Sequence, residues 1–245
     1  FQGGAPSWLY YSDRLYQLPL GIIGIAMGIA LLPALSRRLR AGDEEGALTS
    51  MNRAIEIAAY LTLPAAVALA VMPDFLVGGL FERGEFTAGD TAQTAKALLM
   101  FAFGLPAFVL LKILTPAFFA RENTKTPMIY AAISAAVNLV VGATLFFKVG
   151  FFGLALATSI AAWGNVACLV FVLRRDGHFV SDARLRRRLP RIGAAALIMG
   201  ISLWYLSAWA QPLLTGGITR NYSLLLMVCA AGFGVYLVFA FVFRA

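Results

Sequence analysis

The sequence predicts an all-α, polytopic membrane protein with about seven transmembrane helices, on three observations. Hydrophobic residues fill 60% of the 245 positions and charged residues only 13%, about half the share in soluble domains. The mean hydropathy is +0.80, more apolar surface than a water-soluble fold of this size can hide. The charges are bunched between long charge-free windows. A soluble enzyme and a disordered chain are both excluded. The windows lack the alternation of a barrel, and an open sheet leaves backbone groups unpaired in lipid, so every span is helical.

The windows approximate the ~20 apolar residues that cross a bilayer. In order they are Leu15–Ser36, Ile57–Pro73, Ala97–Ala120 (broken only by Lys112), Thr126–Phe147, Val149–Leu173, Ile192–Thr219 and Asn221–Phe243. A long acidic loop from Asp74 to Lys96, with Glu82, Glu85 and Asp90, joins the second to the third. The basic stretch from Arg174 to Arg191 divides residues 1–173, which hold five spans, from a closing pair in 192–245. The chain opens at Phe1 with no signal-peptide pattern, and reads as a piece of something longer. Cys168 and Cys229 both fall in apolar runs and make no disulfide framework.

Seven spans put the two ends on opposite sides, and loop charge selects the orientation. One set of loops carries fourteen of the twenty cations, including Arg37, Arg38, Arg40, Arg53, Arg121 and the run Arg184–Arg191. The other carries five: Arg14, Arg83, Lys96, Lys148 and Arg220. The richer side is expected to be cytoplasmic, with Phe1 outside and Ala245 inside. The net charge of +8 is therefore a topology signal and not a nucleic-acid footprint. The run at Arg184–Arg188 could also touch anionic lipid head groups, but an orientation signal on a solvated linker is the favoured reading.

The first span opens with the candidates for chemistry. At helical spacing, Tyr10, Asp13, Arg14, Gln17, Gly21, Gly24 and Gly28 share one face. A stripe of polar residues and then glycines is expected to face protein or water, away from lipid tails. Arg14 stands 23 residues before Arg37, about 35 Å along a helix, which puts it at the outer rim of the membrane. A cation there opposes the charge bias, so either an anionic ligand or a structural carboxylate partner is expected to hold it. Lys112 lies about 13 Å from the inner surface, deep enough to need a partner or a wet cavity; Glu56, at the inner end of the second span, is the expected partner. Prolines 19, 33, 64, 106 and 116 favour kinks in the first three spans. No metal-ligand cluster, phosphate loop or nucleophile motif occurs, so neither an enzyme nor a cofactor is expected.

The stretch Leu9-Tyr-Tyr-Ser-Asp-Arg-Leu-Tyr-Gln-Leu-Pro-Leu-Gly21 with Leu31-Leu-Pro-Ala-Leu-Ser-Arg37 resembles the MurJ (MviN) lipid II flippase family of the MOP exporter superfamily. Leu80-Phe-Glu-Arg-Gly-Glu-Phe-Thr87 and Gly104–Val109 through Thr115–Pro127 carry the same resemblance, in the same order. It implies a MATE-like second lobe, here incomplete, followed by two extra C-terminal helices. It also implies alternating access in the bacterial inner membrane, moving undecaprenyl-pyrophosphate-linked peptidoglycan precursor outward for cell-wall synthesis. By that resemblance Arg14 is a cavity cation on the substrate pyrophosphate, Asp13 supports it, and Lys112 matches a recurrent lysine with a structural role. Gln17 and Tyr10, on the Arg14 face, are further substrate-binding candidates, and Glu56 a structural or cavity candidate, on their positions alone. The closing pair is a possible lipid-tail groove. The implied partners are lipid II, membrane lipids, the preceding N-terminal helices and cell-wall synthesis proteins. A polysaccharide flippase, a drug/cation antiporter of the same superfamily and a membrane scaffold stay open; a cavity dominated by carboxylates would favour the antiporter.

Overall fold

The structure, a computed structural model, describes residues 4–215 and 218–244. Phe1 and Ala245, used above as topological ends, and Gly216 and Gly217 of the sixth window lie outside them. Nine α-helices follow one another among the described residues: α1 Ala5–Pro19, α2 Ala26–Arg40, α3 Glu44–Val71, α4 Pro73–Phe81, α5 Ala88–Phe119, α6 Lys125–Val149, α7 Phe152–Arg175, α8 Ala183–Ala210 and α9 Ile218–Val242. Seven segments are long and apolar enough to cross a membrane, α1 and α2 counting as one from Ala5 to Arg40. Each predicted window overlaps one of them over most of its length.

Local chemistry sets the boundaries. Asp43 caps α3 by accepting from the Gly46 N–H at 2.8 Å, and Asp182 caps α8 through the Leu185 N–H at 2.7 Å. Thr87 and Asp90 form a reciprocal capping box on α5. The α6–α7 hairpin turns at Gly150, whose φ of 94° is a conformation glycine adopts without strain. Gly153 then lets α7 lie directly on the backbone of Leu145.

Three features depart from the sequence reading. The supposed outer loop contains α4, whose apolar run Phe75–Phe81 packs beneath α9. The basic linker is mostly helical: residues 183–191 are the first turns of α8. Between α1 and α2 the chain forms a π-helical turn, Leu20–Ile25, directly after Pro19.

That turn divides the predicted stripe. A π turn accommodates about one extra residue, rotating everything beyond it by about 100° relative to a continuous α-helix. Before it, Tyr10, Arg14 and Gln17 are exposed while Ser12, Leu15 and Tyr16 are buried. Beyond it, Gly24 is buried and Gly28 half-buried against α5. The polar residues and the glycines thus face different surroundings, instead of forming one line.

The core has two parts. One joins α1, α2, α3, α5 and α7 through residues such as Leu35, Met51, Leu98, Leu105, Ile113 and Leu173. The second packs α8 and α9 on α3 and α4 through Phe75, Met199, Leu203 and Tyr236. Helix α6 lies at the edge, with only Pro127 and Gly142 buried.

Candidate functional site

The outer half of α1 is fixed by its buried face. Tyr16 stacks on Phe101 at 4.8 Å and meets Phe108 at 5.6 Å. Tyr11 packs on Phe81 and Phe86 at 4.9 and 5.3 Å. Above them the Trp8 indole N–H donates to Asp90 Oδ1 at 2.7 Å, tying the start of α1 to the start of α5. With three aromatic rings docked, the opposite face of α1 points away from the bundle.

That face carries four of the six residues singled out in the sequence. The Arg14 guanidinium carbon lies 4.8 Å from the Tyr10 ring centroid, a cation–π arrangement. Gln17 Nε2 donates to the Asp13 carboxylate one turn away. Asp13 is therefore held by Gln17, and Arg14 forms no salt bridge among the described residues. Its guanidinium lies over an aromatic face, and neither Asp13 nor an outer-loop carboxylate pairs with it among the described residues.

Lys112 lies against the first span at a different depth from Arg14. A Cβ built on Gly24 would stand 3.3 Å from Lys112 Cγ, and one on Gly28 3.3 Å from the Lys112 carbonyl oxygen. The two glycines form a notch in which the lysine stem lies, while the residue as a whole stays exposed. Gly24 is ten residues along from Arg14, on the order of 15 Å. Arg14 and Lys112 are thus both exposed cations, at two levels of the first span.

The expected Lys112–Glu56 pair does not form. Glu56, 6% exposed, faces α8 on the far side of α3 and accepts from Arg53, Arg184 and Arg188. Arg53 also binds Asp182, and Asn52 Nδ2 donates to the Val180 carbonyl at 2.9 Å. This network locks the α7–α8 connection onto α3. Sequence reasoning missed it because its members lie some 130 residues apart; the available signal was a carboxylate one turn after Arg53 at the mouth of an apolar span.

Side-chain links also show which loops share an end. Arg121 Nη2 reaches Glu44 at 2.9 Å, Arg38 pairs with Asp43 at 3.1 Å, and Arg191 donates to the Arg244 carbonyl at 3.4 Å. With the Glu56 network, these gather the arginine-rich loops at one pole. At the other, Trp8 meets Asp90, and Arg83 donates to the Tyr222 hydroxyl at 2.8 Å.

Seven apolar helices, with α8 and α9 packed as a pair on α3 and α4, define a multi-spanning α-helical membrane protein. The fold is similar to that of a multidrug resistance MATE family transporter of the MOP superfamily in its inward-facing conformation (TM-score 0.53, 17% identity, 89% of this chain and 51% of the other), a likeness of fold alone. The family model for lipid II flippase MurJ matches residues 1–224. The chain belongs to that family. A probable lipid II flippase MurJ of Rhizobium tropici is 44% identical over 97% of this chain and 45% of its own length. That of Vibrio cholerae is 37% identical over 96% and 45%. A solved lipid II flippase MurJ in an inward closed conformation superposes with a TM-score of 0.80 at 28% identity, over all of this chain and 48% of the other. The chain spans about half the length of the relatives it matches. Family and helices together make it a multi-pass protein of the bacterial inner membrane.

Proposed function

We propose that this chain is the second-lobe half of a lipid II flippase, and that Arg14 receives the pyrophosphate of the undecaprenyl-linked precursor during its passage to the outer leaflet. The observation that carries this is the unneutralised Arg14 guanidinium, braced on Tyr10 and exposed on a membrane helix. A diphosphate crosses hydrocarbon only where fixed cations replace its hydration, and the guanidinium fork matches phosphate oxygens bidentately. Asp13 accepts from Gln17 and forms no salt bridge with Arg14 among the described residues. Lys112, one level deeper, provides a second cation along the path. Tyr10 and Gln17 flank the headgroup.

Translocation also requires this face to open to each side in turn. The Leu20–Ile25 turn after Pro19 gives the helix a point of weakened hydrogen bonding between the two cation levels. The terminal pair exposes Trp204, Leu226, Phe233 and Val238, a surface suited to the polyprenyl tail. The arginine-rich pole is cytoplasmic in this reading, with the C-terminus on that side.

The experiment is lipid II translocation by the full-length protein carrying Arg14→Ala, Arg14→Lys or Lys112→Met. Export is expected to fail in Arg14→Ala, to survive weakly in Arg14→Lys, and to fall at least tenfold in Lys112→Met while each variant stays folded. Normal export by Arg14→Ala would overturn the assignment.

A further inference from the structure

At the arginine-rich pole, between α3, α8 and α9, lies a cavity of about 730 Å³ lined by the polar Tyr60, Arg188 and Arg244 and by the apolar Leu237 and Phe241. Its volume falls within the range of small-molecule sites, about 300–1,000 Å³. It is separate from the Arg14 face, and the transport reading makes no use of it.

The lining has two chemistries. Arg244 follows the last turn of α9 and forms no salt bridge among the described residues. Its carbonyl accepts from Arg191, which holds this end of α9 against α8. Arg188 gives Nη1 to Glu56; a guanidinium has five N–H donors, so others remain for a ligand. The Glu56 network holds Arg188 in place, so binding there costs little ordering of the side chain. Of the apolar lining, Leu237 is 42% and Phe241 85% exposed, one turn apart on α9. Cations at the membrane boundary, continuous with an apolar strip descending from it, match an amphiphile with an anionic head.

We propose that this cavity binds an anionic phospholipid of the adjacent leaflet, its phosphate between Arg188 and Arg244 and an acyl chain along Leu237 and Phe241. Charge complementarity selects the head, and the exposed strip gives the chain a seat that a free phosphate does not use. The site does not depend on the role of Arg14.

The test is lipid retention by the full-length protein in native mass spectrometry, with phosphatidylglycerol and phosphatidylcholine of matched chains. Phosphatidylglycerol is expected to be retained preferentially. Arg244→Ala is expected to weaken it about fivefold, the contribution of one cation near a membrane surface. Arg187→Ala, exposed on the same basic segment but outside the cavity, is expected to leave retention unchanged. Equal retention of the two lipids overturns the proposal, as does an equal loss in Arg187→Ala, which indicates diffuse attraction. Displacement by millimolar inorganic phosphate as complete as by short-chain phosphatidylglycerol also overturns it, because the chain then plays no part.

Discussion

Replacing Glu56 by Gln isolates the charge that holds the α7–α8 connection, because the amide keeps the shape and one acceptor oxygen. Glu56 accepts from three guanidinium groups whose side chains are 25%, 53% and 34% exposed, for Arg53, Arg184 and Arg188. Breaking a buried ion pair costs about 3–5 kcal/mol, while exposed pairs contribute about 0–1 kcal/mol. The carboxylate is buried but its partners are half in solvent, so water recovers much of their lost interaction. The expected cost is about 2 kcal/mol, placed between those limits. If residues 176–191 open locally, that cost raises the open population roughly 30-fold. Amide hydrogen exchange over this segment reads the change directly, with peptides from α5 and α7 as internal controls. Protection in Glu56→Gln within twofold of the parent protein refutes the reasoning, since the arginines would then be held by something other than this charge.

Gly153→Ala places a Cβ 2.8 Å from the backbone carbonyl carbon of Leu145; the hairpin must open, at about 1–3 kcal/mol, visible as a lower unfolding temperature. Tyr236→Phe removes the buried hydroxyl that donates to the Tyr60 carbonyl at 2.6 Å. It is expected to cost about 1 kcal/mol and to loosen α9 from α3, raising hydrogen exchange in α9 while α5 stays unchanged. Equal exchange in both helices would show that Tyr236 does not couple them.

The spans were legible because burial in lipid imposes a one-dimensional rule, a run of apolar residues without charge, and each window overlaps a different long helix over most of its length. The polar face of α1 was legible for the same reason, as an arginine on the wrong side of the charge bias is costly without a purpose. What escaped was relational. Helix α4 hid inside a segment whose terminal charges, Asp74 and Glu82, disguised the apolar run between them. Glu56 seemed free to meet Lys112 because depth along a helix can be counted from sequence, whereas the direction a residue faces cannot. The stripe from Tyr10 to Gly28 assumed an unbroken 3.6-residue period, and the only hint of the π turn was Pro19.

The same turn gives the first span an unusual relation to length. A π turn is an α-helix carrying one surplus residue, so α1 and α2 already show the faces they would show if joined by a continuous helix one residue shorter. Deleting Ile22, which is 75% exposed, should therefore leave Arg14 outward and Gly24 against Lys112. Deleting a residue elsewhere in α1 or α2 would swing one half of the span by about 100° against the other. The span thus holds one position where a residue can be lost without losing alignment. A protein shortened there would keep its two cations in place while losing the weak point between them, separating the part of transport that depends on placement from the part that depends on bending.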